Sequence, residues 1–159
     1  MQLVQTLEEA TYEAGRSALS EQESFVAGLR QRTGTLLAAH ALVASFLGAT
    51  TVQEQGLRTL GWVALVALVL GLGAAAVLLA PWKLKFAVDA HSLYDDLYPQ
   101  AVAEAEAETL GWLASAGYLY QDLRKGNAQR IKLMSRLSGV LAVLMVAQTL
   151  AWLAGLAVK

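Results

Sequence analysis

Charge is spread so unevenly along this chain that three stretches hold no Asp, Glu, Lys or Arg: 21 residues from Thr33 to Gln53, 24 from Thr59 to Trp82 and 22 from Leu137 to Val158. At ~1.5 Å of rise per residue, each would make a helix of about 30 Å or slightly more, which matches the hydrocarbon core of a bilayer. The fold class expected is therefore all-α: an integral membrane protein with three transmembrane helices plus cytoplasmic helices, oligomeric in the membrane. The segments are a cytoplasmic N-terminal helix over 1–32, transmembrane helices over 33–53, 59–82 and 137–158, and a cytoplasmic helical segment over 83–136. The first span is the weakest, because Thr33, Thr35, His40, Ser45, Thr50 and Thr51 dilute its LLAAHALVASFLGA centre. The second, WVALVALVLGLGAAAVLLA, is the strongest, and Pro81 closes it. The competing architecture is a soluble all-helical bundle with buried central helices, which would stay monodisperse in water without detergent.

Composition narrows the function classes. The chain is 56% hydrophobic and 16% charged, with mean hydropathy +0.45, against about 25% charged in globular proteins. Twelve basic and 13 acidic residues give a net charge of -1, so there is no global case for nucleic-acid binding. With no cysteine, there is no disulfide framework, thiolate zinc site or cysteine nucleophile. His91 with Asp89, Asp95 and Asp96 is one histidine among acids, and no metal site is expected there. No Ser/His/Asp constellation or phosphate-cradling glycine loop is visible, so neither an enzyme nor a cofactor is expected. The first 32 residues hold five acids and no apolar core, which disfavours a secretory signal peptide.

Orientation follows from the basic residues. Arg16, Arg30 and Arg32 precede the first span, and Lys83, Lys85, Arg124, Lys125, Arg130, Lys132 and Arg136 lie between the second and third. Only Arg58 and Lys159 fall on the other side. The bias toward a positive interior puts the N-terminus in the cytoplasm and the C-terminus outside. Trp62 and Trp152 then sit near the outer ends and Trp82 near the inner end, as interfacial anchors. The basic residues Arg30, Arg32, Lys83, Lys85, Arg124, Lys125, Arg130, Lys132 and Arg136 are candidates for inner-leaflet or anionic-ligand contacts.

The N-terminal arm has an apolar stripe at Val4, Leu7, Ala14, Ala18, Phe25 and Leu29 and reads as a helix that packs against protein. After Pro81, Leu84, Ala87, Val88, Leu93, Tyr94 and Leu97 share a helical face that breaks at Pro99. From Gln100 one long helix, with Leu113, Tyr120, Leu123, Ile131 and Met134 at helical spacing, leads into the third span. Gly126 is its one candidate interruption.

His40 is the titratable side chain inside a span, and it is a candidate pore-lining group, pH sensor or hydrogen-bonding joint. Gln148 and Thr149 lie near the middle of the third span; Gln148 matches Ser45 in depth, so a His40–Gln148 pair needs an offset of about a turn. Small residues suited to close helix packing are Ala44 and Gly48 in the first span, Gly71 and Gly73 in the second, and Ala147, Ala151 and Gly155 in the third. Three spans are few for an internal path, which favours a homo-oligomer.

The order of parts resembles a known family. A cytoplasmic helix ends in LRQRTGTLLAAHALVASFLGA, GWVALVALVLGLGAAAVLLAP follows closely, a cytoplasmic helical segment contains Asn127, and the last span holds Gln148 and Trp152. This pattern is similar to the small bacterial membrane effectors of the Pycsar and SLATT kind, which accompany antiphage nucleotide-signalling systems. The resemblance implies that the cytoplasmic part senses a cyclic nucleotide or a cytoplasmic signalling protein and that assembled helices disrupt the membrane. Arg32 with Gly34 opens the first span in that comparison. The alternatives are a non-pore scaffold recruiting a cytoplasmic partner through amphipathic helices, and a holin-like phage protein.

Overall fold

The computed structural model describes residues 7–55, 58–88, 95 and 111–157. Its regular elements among these residues are all helical. Helix α1 runs Leu7–Val43 and continues through a π-helical turn, Ala44–Gly48, into α2, Ala49–Gln55. Helix α3 is Thr59–Leu79 and α4 is Gly111–Ala157. Three helical stretches are long and apolar enough to cross a membrane, with mean hydropathies of 1.6, 2.6 and 2.1 in chain order. The expected ranking holds, with the first span weakest and the second strongest.

Two boundaries drawn from the sequence are absent as breaks in the backbone. The arm and the first span form one continuous helix, since no proline interrupts 7–55 and Gly34 sits within the helix. Gly126 likewise leaves α4 unbroken across its 47 residues. The widened turn at Ala44–Gly48 has a local cause. Ser45 donates to the Ala41 carbonyl at 2.8 Å, Thr50 to Phe46 and Leu47 at 2.9 and 3.0 Å, and Thr51 to Leu47 at 2.7 Å. These hydroxyls use the same carbonyls as the helical ladder and loosen it.

Helix α3 stops where the sequence predicts. Pro81 has no N–H to extend the ladder, Ala80 N–H donates to the Ala76 carbonyl at 3.0 Å, and Trp82 Nε1 donates to the Val77 carbonyl at 2.9 Å. The segment that follows corrects the sequence reading. Residues 83–88 are extended, with Lys83, Lys85 and Ala87 exposed and Leu84, Phe86 and Val88 half-buried. That alternation has the period of two of a strand, not the period of a helix. The remaining expected face (Leu93, Tyr94, Leu97), Pro99, the Asp89, His91 and Asp96 cluster and the start of the long helix before Gly111 lie outside the described residues, as does Val4.

The chain divides into two compact units. Met1–Val26 and Lys83–Ile131 form one; Ala27–Trp82 and Lys132–Lys159 form the other. In the first, α1 crosses α4 at a pair of glycines. A Cβ on Gly15 would lie 2.5 Å from the Gly117 carbonyl oxygen, and one on Gly117 would lie 2.7 Å from the Thr11 carbonyl oxygen. The two backbones touch because neither residue has a side chain. Tyr12 and Tyr120 meet edge to face beside this contact, 5.8 Å between centroids. The buried stripe of α1 is Gly15, Leu19, Val26 and Leu29. It replaces the stripe expected from the sequence, in which Leu29 was right, while Ala14 and Phe25 are exposed and Ala18 is half-buried.

In the second unit α3 presents Gly61, Ala64, Ala67, Gly71, Ala75 and Leu78 inward. Spaced three and four apart, these make a nearly side-chain-free face on which neighbouring helices can lie close. Trp152 fills the centre, packed with Ala64, Ala151, Val43 and Leu47. It is 3% exposed, whereas Trp62 is 56% exposed. Trp152 is thus a core residue and not the interfacial anchor expected from its sequence position.

Candidate functional site

The strongest concentration of buried polarity lies within the second unit. His40, Gln148, Thr33 and Thr51 are buried among apolar helices, His40 at 1% exposure and Gln148 at 0%. His40 Nδ1 and Gln148 Oε1 are in direct hydrogen-bond contact. An amide oxygen carries no proton, so the ring nitrogen donates to it. The pair forms across the offset of about a turn that the sequence requires of it.

The backbones do keep the register that equal depth implies, because Gly48 meets the Trp152 ring at 3.2 Å and Gly155 meets the Thr51 methyl at 3.4 Å by their would-be Cβ positions. Side-chain length covers the remaining turn. Helical side chains lean toward their own N-terminus, which brings Gln148 back toward His40. Gly71 supplies the space: a Cβ there would lie 3.1 Å from both His40 Cε1 and Nε2.

The joint is incomplete. His40 Nε2, Gln148 Nε2 and Trp152 Nε1 are buried without a hydrogen-bond partner among the described residues. In a medium without water, each unpartnered polar group costs free energy, on the order of 1–3 kcal/mol. Three such atoms lie on two residues one helical turn apart and on the histidine that one of them contacts.

The other polar candidates in the apolar helices behave differently. Ser45 donates to its own helix, and Thr149 donates to the Met145 carbonyl at 2.9 Å. Neither makes an interhelical hydrogen bond among the described residues. Among the small residues, Gly48, Gly71, Ala151 and Gly155 are buried contacts, Ala44 is half-buried, and Gly73 and Ala147 are exposed. Ala64, Ala67 and Ala75 on α3, and the Gly15–Gly117 crossing, escaped the sequence reading. Gly15 and Gly117 lie outside the spans, where small residues were not sought, and in the second span only Gly71 and Gly73 were singled out, although Ala64, Ala67 and Ala75 share their helical spacing.

The nine basic candidates are all exposed. In the first unit some are organised by Asn127, which is buried on α4. Its Nδ2 donates to the Lys85 carbonyl at 2.8 Å, and its Oδ1 accepts from Lys85 N–H at 3.3 Å. The side chain thus holds a stretch of extended backbone as a neighbouring strand would. Arg130 Nη1 donates to the Lys83 carbonyl. Lys125 pairs with Asp122 at 3.2 Å, both exposed. Arg124 contributes its backbone carbonyl to Gln22 at 3.1 Å. Arg30, Arg32, Lys132 and Arg136 belong to the second unit.

Burial, the hydrogen bond to Tyr12 and the electrostatic effect of Tyr12 together push the Tyr120 phenol above the usual tyrosine range, with Arg16 opposing them. Among the described residues no group of three or more His, Cys, Asp and Glu is placed to hold a metal ion. Comparison with protein-family profiles, curated proteins and solved structures gives no match.

Proposed function

We propose that this chain is a multi-pass effector of the bacterial inner membrane that assembles in several copies and permeabilises or depolarises the membrane when a signal reaches its cytoplasmic helices. Antiphage defence is the setting that the resemblance to Pycsar and SLATT effectors implies, with a cyclic nucleotide or a signalling protein as trigger. The observation that carries the reading is the half-satisfied His40–Gln148 joint among the spans. A polar network with unpaired members in lipid favours any rearrangement that gives those atoms a partner, such as water or a second copy of the chain. The continuous backbones of α1 and α4 link the first and third apolar spans to residues outside them. A π-helical turn in the first span is the kind of local irregularity that helices carry at working positions.

The scaffold reading needs an amphipathic face free to recruit a partner. Gly15, Leu19 and Val26 are instead buried within the chain itself, which favours the effector. In a bacterial host, regulated expression of the wild-type chain is expected to collapse the membrane potential and arrest growth. His40→Leu with Gln148→Leu removes every unpaired atom of the pair, and this double variant is expected to insert normally and leave the potential intact. Depolarisation by the double variant equal to wild type would sink the proposal, as would a normal potential with the wild-type chain fully inserted.

A further inference from the structure

Between the extended segment and α4 lies a cleft of about 610 Å³, lined by Lys83, Leu84, Lys85, Leu123, Gly126 and Arg130, with Asn127 and Asp122 completing it. We propose that this cleft binds a phosphate group. Lys83 and Lys85 are two apart on an extended backbone, so their side chains leave it on the same side. The acid at the cleft, Asp122, is held by Lys125 at 3.2 Å. Arg130 uses one nitrogen on the Lys83 carbonyl, and its fork carries further donors. Three basic residues thus line one cleft, with Asp122 paired to Lys125 beside them and apolar walls from Leu84 and Leu123.

The cationic edge is fixed before any ligand arrives. Asn127 grips both polar groups of the Lys85 backbone, and Arg130 grips the Lys83 carbonyl, so the two lysines are positioned by their main chain and both are exposed. Gly126 keeps the cleft open. A Cβ at Gly126 would meet nothing within 4 Å, so packing does not require glycine there, and glycine is a poor helix former. A larger side chain would extend into the cleft. Lys83 follows Trp82 directly in the chain, which makes an anionic phospholipid headgroup one source of the phosphate; a soluble phosphate compound is the other. The site does not depend on whether the spans ever open.

The test uses the purified full chain in detergent. Retention of phosphatidylglycerol against phosphatidylcholine is measured by native mass spectrometry, and inorganic phosphate is titrated in a parallel arm. Lys83→Gln with Lys85→Gln removes charge without touching the backbone clasp. Gly126→Leu fills the cleft without altering charge and favours the helix, so it retains the fold. Lys132→Gln with Arg136→Gln removes two exposed charges elsewhere on α4. Each lysine near an anionic surface is worth roughly fivefold in partitioning, so the lysine pair and Gly126→Leu are each expected to weaken binding about tenfold or more, with the α4 control near wild type. Preference for phosphatidylglycerol with that variant pattern assigns the lipid source; saturable inorganic phosphate binding with the same pattern assigns the soluble one. Equal loss in the α4 control, unchanged binding by Gly126→Leu, or no binding of either probe would overturn the proposal.

Discussion

The glycine crossing in the first unit allows one substitution to be predicted with opposite signs at two places on a single helix. Gly117 and Gly126 both lie inside α4, and alanine is the better helix former by about 1 kcal/mol at either. At Gly126 the new methyl meets nothing within 4 Å, so Gly126→Ala is expected to stabilise by about that amount. At Gly117 the methyl would lie 2.7 Å from the Thr11 carbonyl oxygen, 2.9 Å from its carbon and 3.1 Å from Tyr12 Cα. These are backbone atoms of α1, which move only if the helix moves. Overpacking of this kind costs roughly 1–3 kcal/mol, so Gly117→Ala is expected to fall about 1–3 kcal/mol below Gly126→Ala. The assay is denaturant unfolding of the full chain in a mild detergent, followed by far-ultraviolet ellipticity and by hydrogen exchange of amides in 111–131. Gly117→Ala at least as stable as Gly126→Ala would refute the backbone contact.

Two further outcomes follow from burial and charge. Brominated lipid is expected to quench the emission of Trp62, which is 56% exposed, and to spare Trp152, at 3%; Trp62→Phe should remove quenchable emission and Trp152→Phe should remove little, and the reverse would show that Trp152 faces lipid. Because the Tyr120 phenol is pushed up in the folded chain, its contribution to stability is present below the ordinary tyrosine range and lost as the pH rises through the raised value. In an alkaline titration followed by phenolate absorbance, Tyr120 should ionise after a free tyrosine, and Tyr12→Phe should bring it partway down; an unchanged curve for that variant would count against the pair.

Much of the architecture was legible because the bilayer sets one coarse rule, an uncharged run of about 20 residues, and Thr33–Gln53, Thr59–Trp82 and Leu137–Val158 meet it plainly. Finer features depended on which neighbour a residue meets. The alternation of Lys83, Leu84, Lys85 and Phe86 was in plain view, but a helical reading of the following residues drew it in. The arm's stripe was drawn one position away, through Ala14, Ala18 and Phe25, whereas the buried positions are Gly15, Leu19 and Val26, and at Gly15 it is the absence of a side chain that matters. Trp152 was assigned by distance from the end of its span, yet Gly48 and Ala64 leave a hollow that its ring fills. The His40–Gln148 pair was judged by backbone depth alone. Side-chain reach and the space beside Gly71 decided it, and neither is visible in one sequence without knowing which helices touch.

Gly15, Gly48, Gly71 and Gly117 are each held small by a neighbour that a Cβ would meet within 3.2 Å. Exposed apolar residues can be exchanged for one another through long divergence, so they erode quickly as a record of ancestry. The four glycines cannot drift in that way unless the neighbouring ring or backbone gives. Distant relatives of this chain are therefore to be recognised by the spacing of its smallest residues, a signature written in missing atoms, long after its leucines and valines have lost any resemblance.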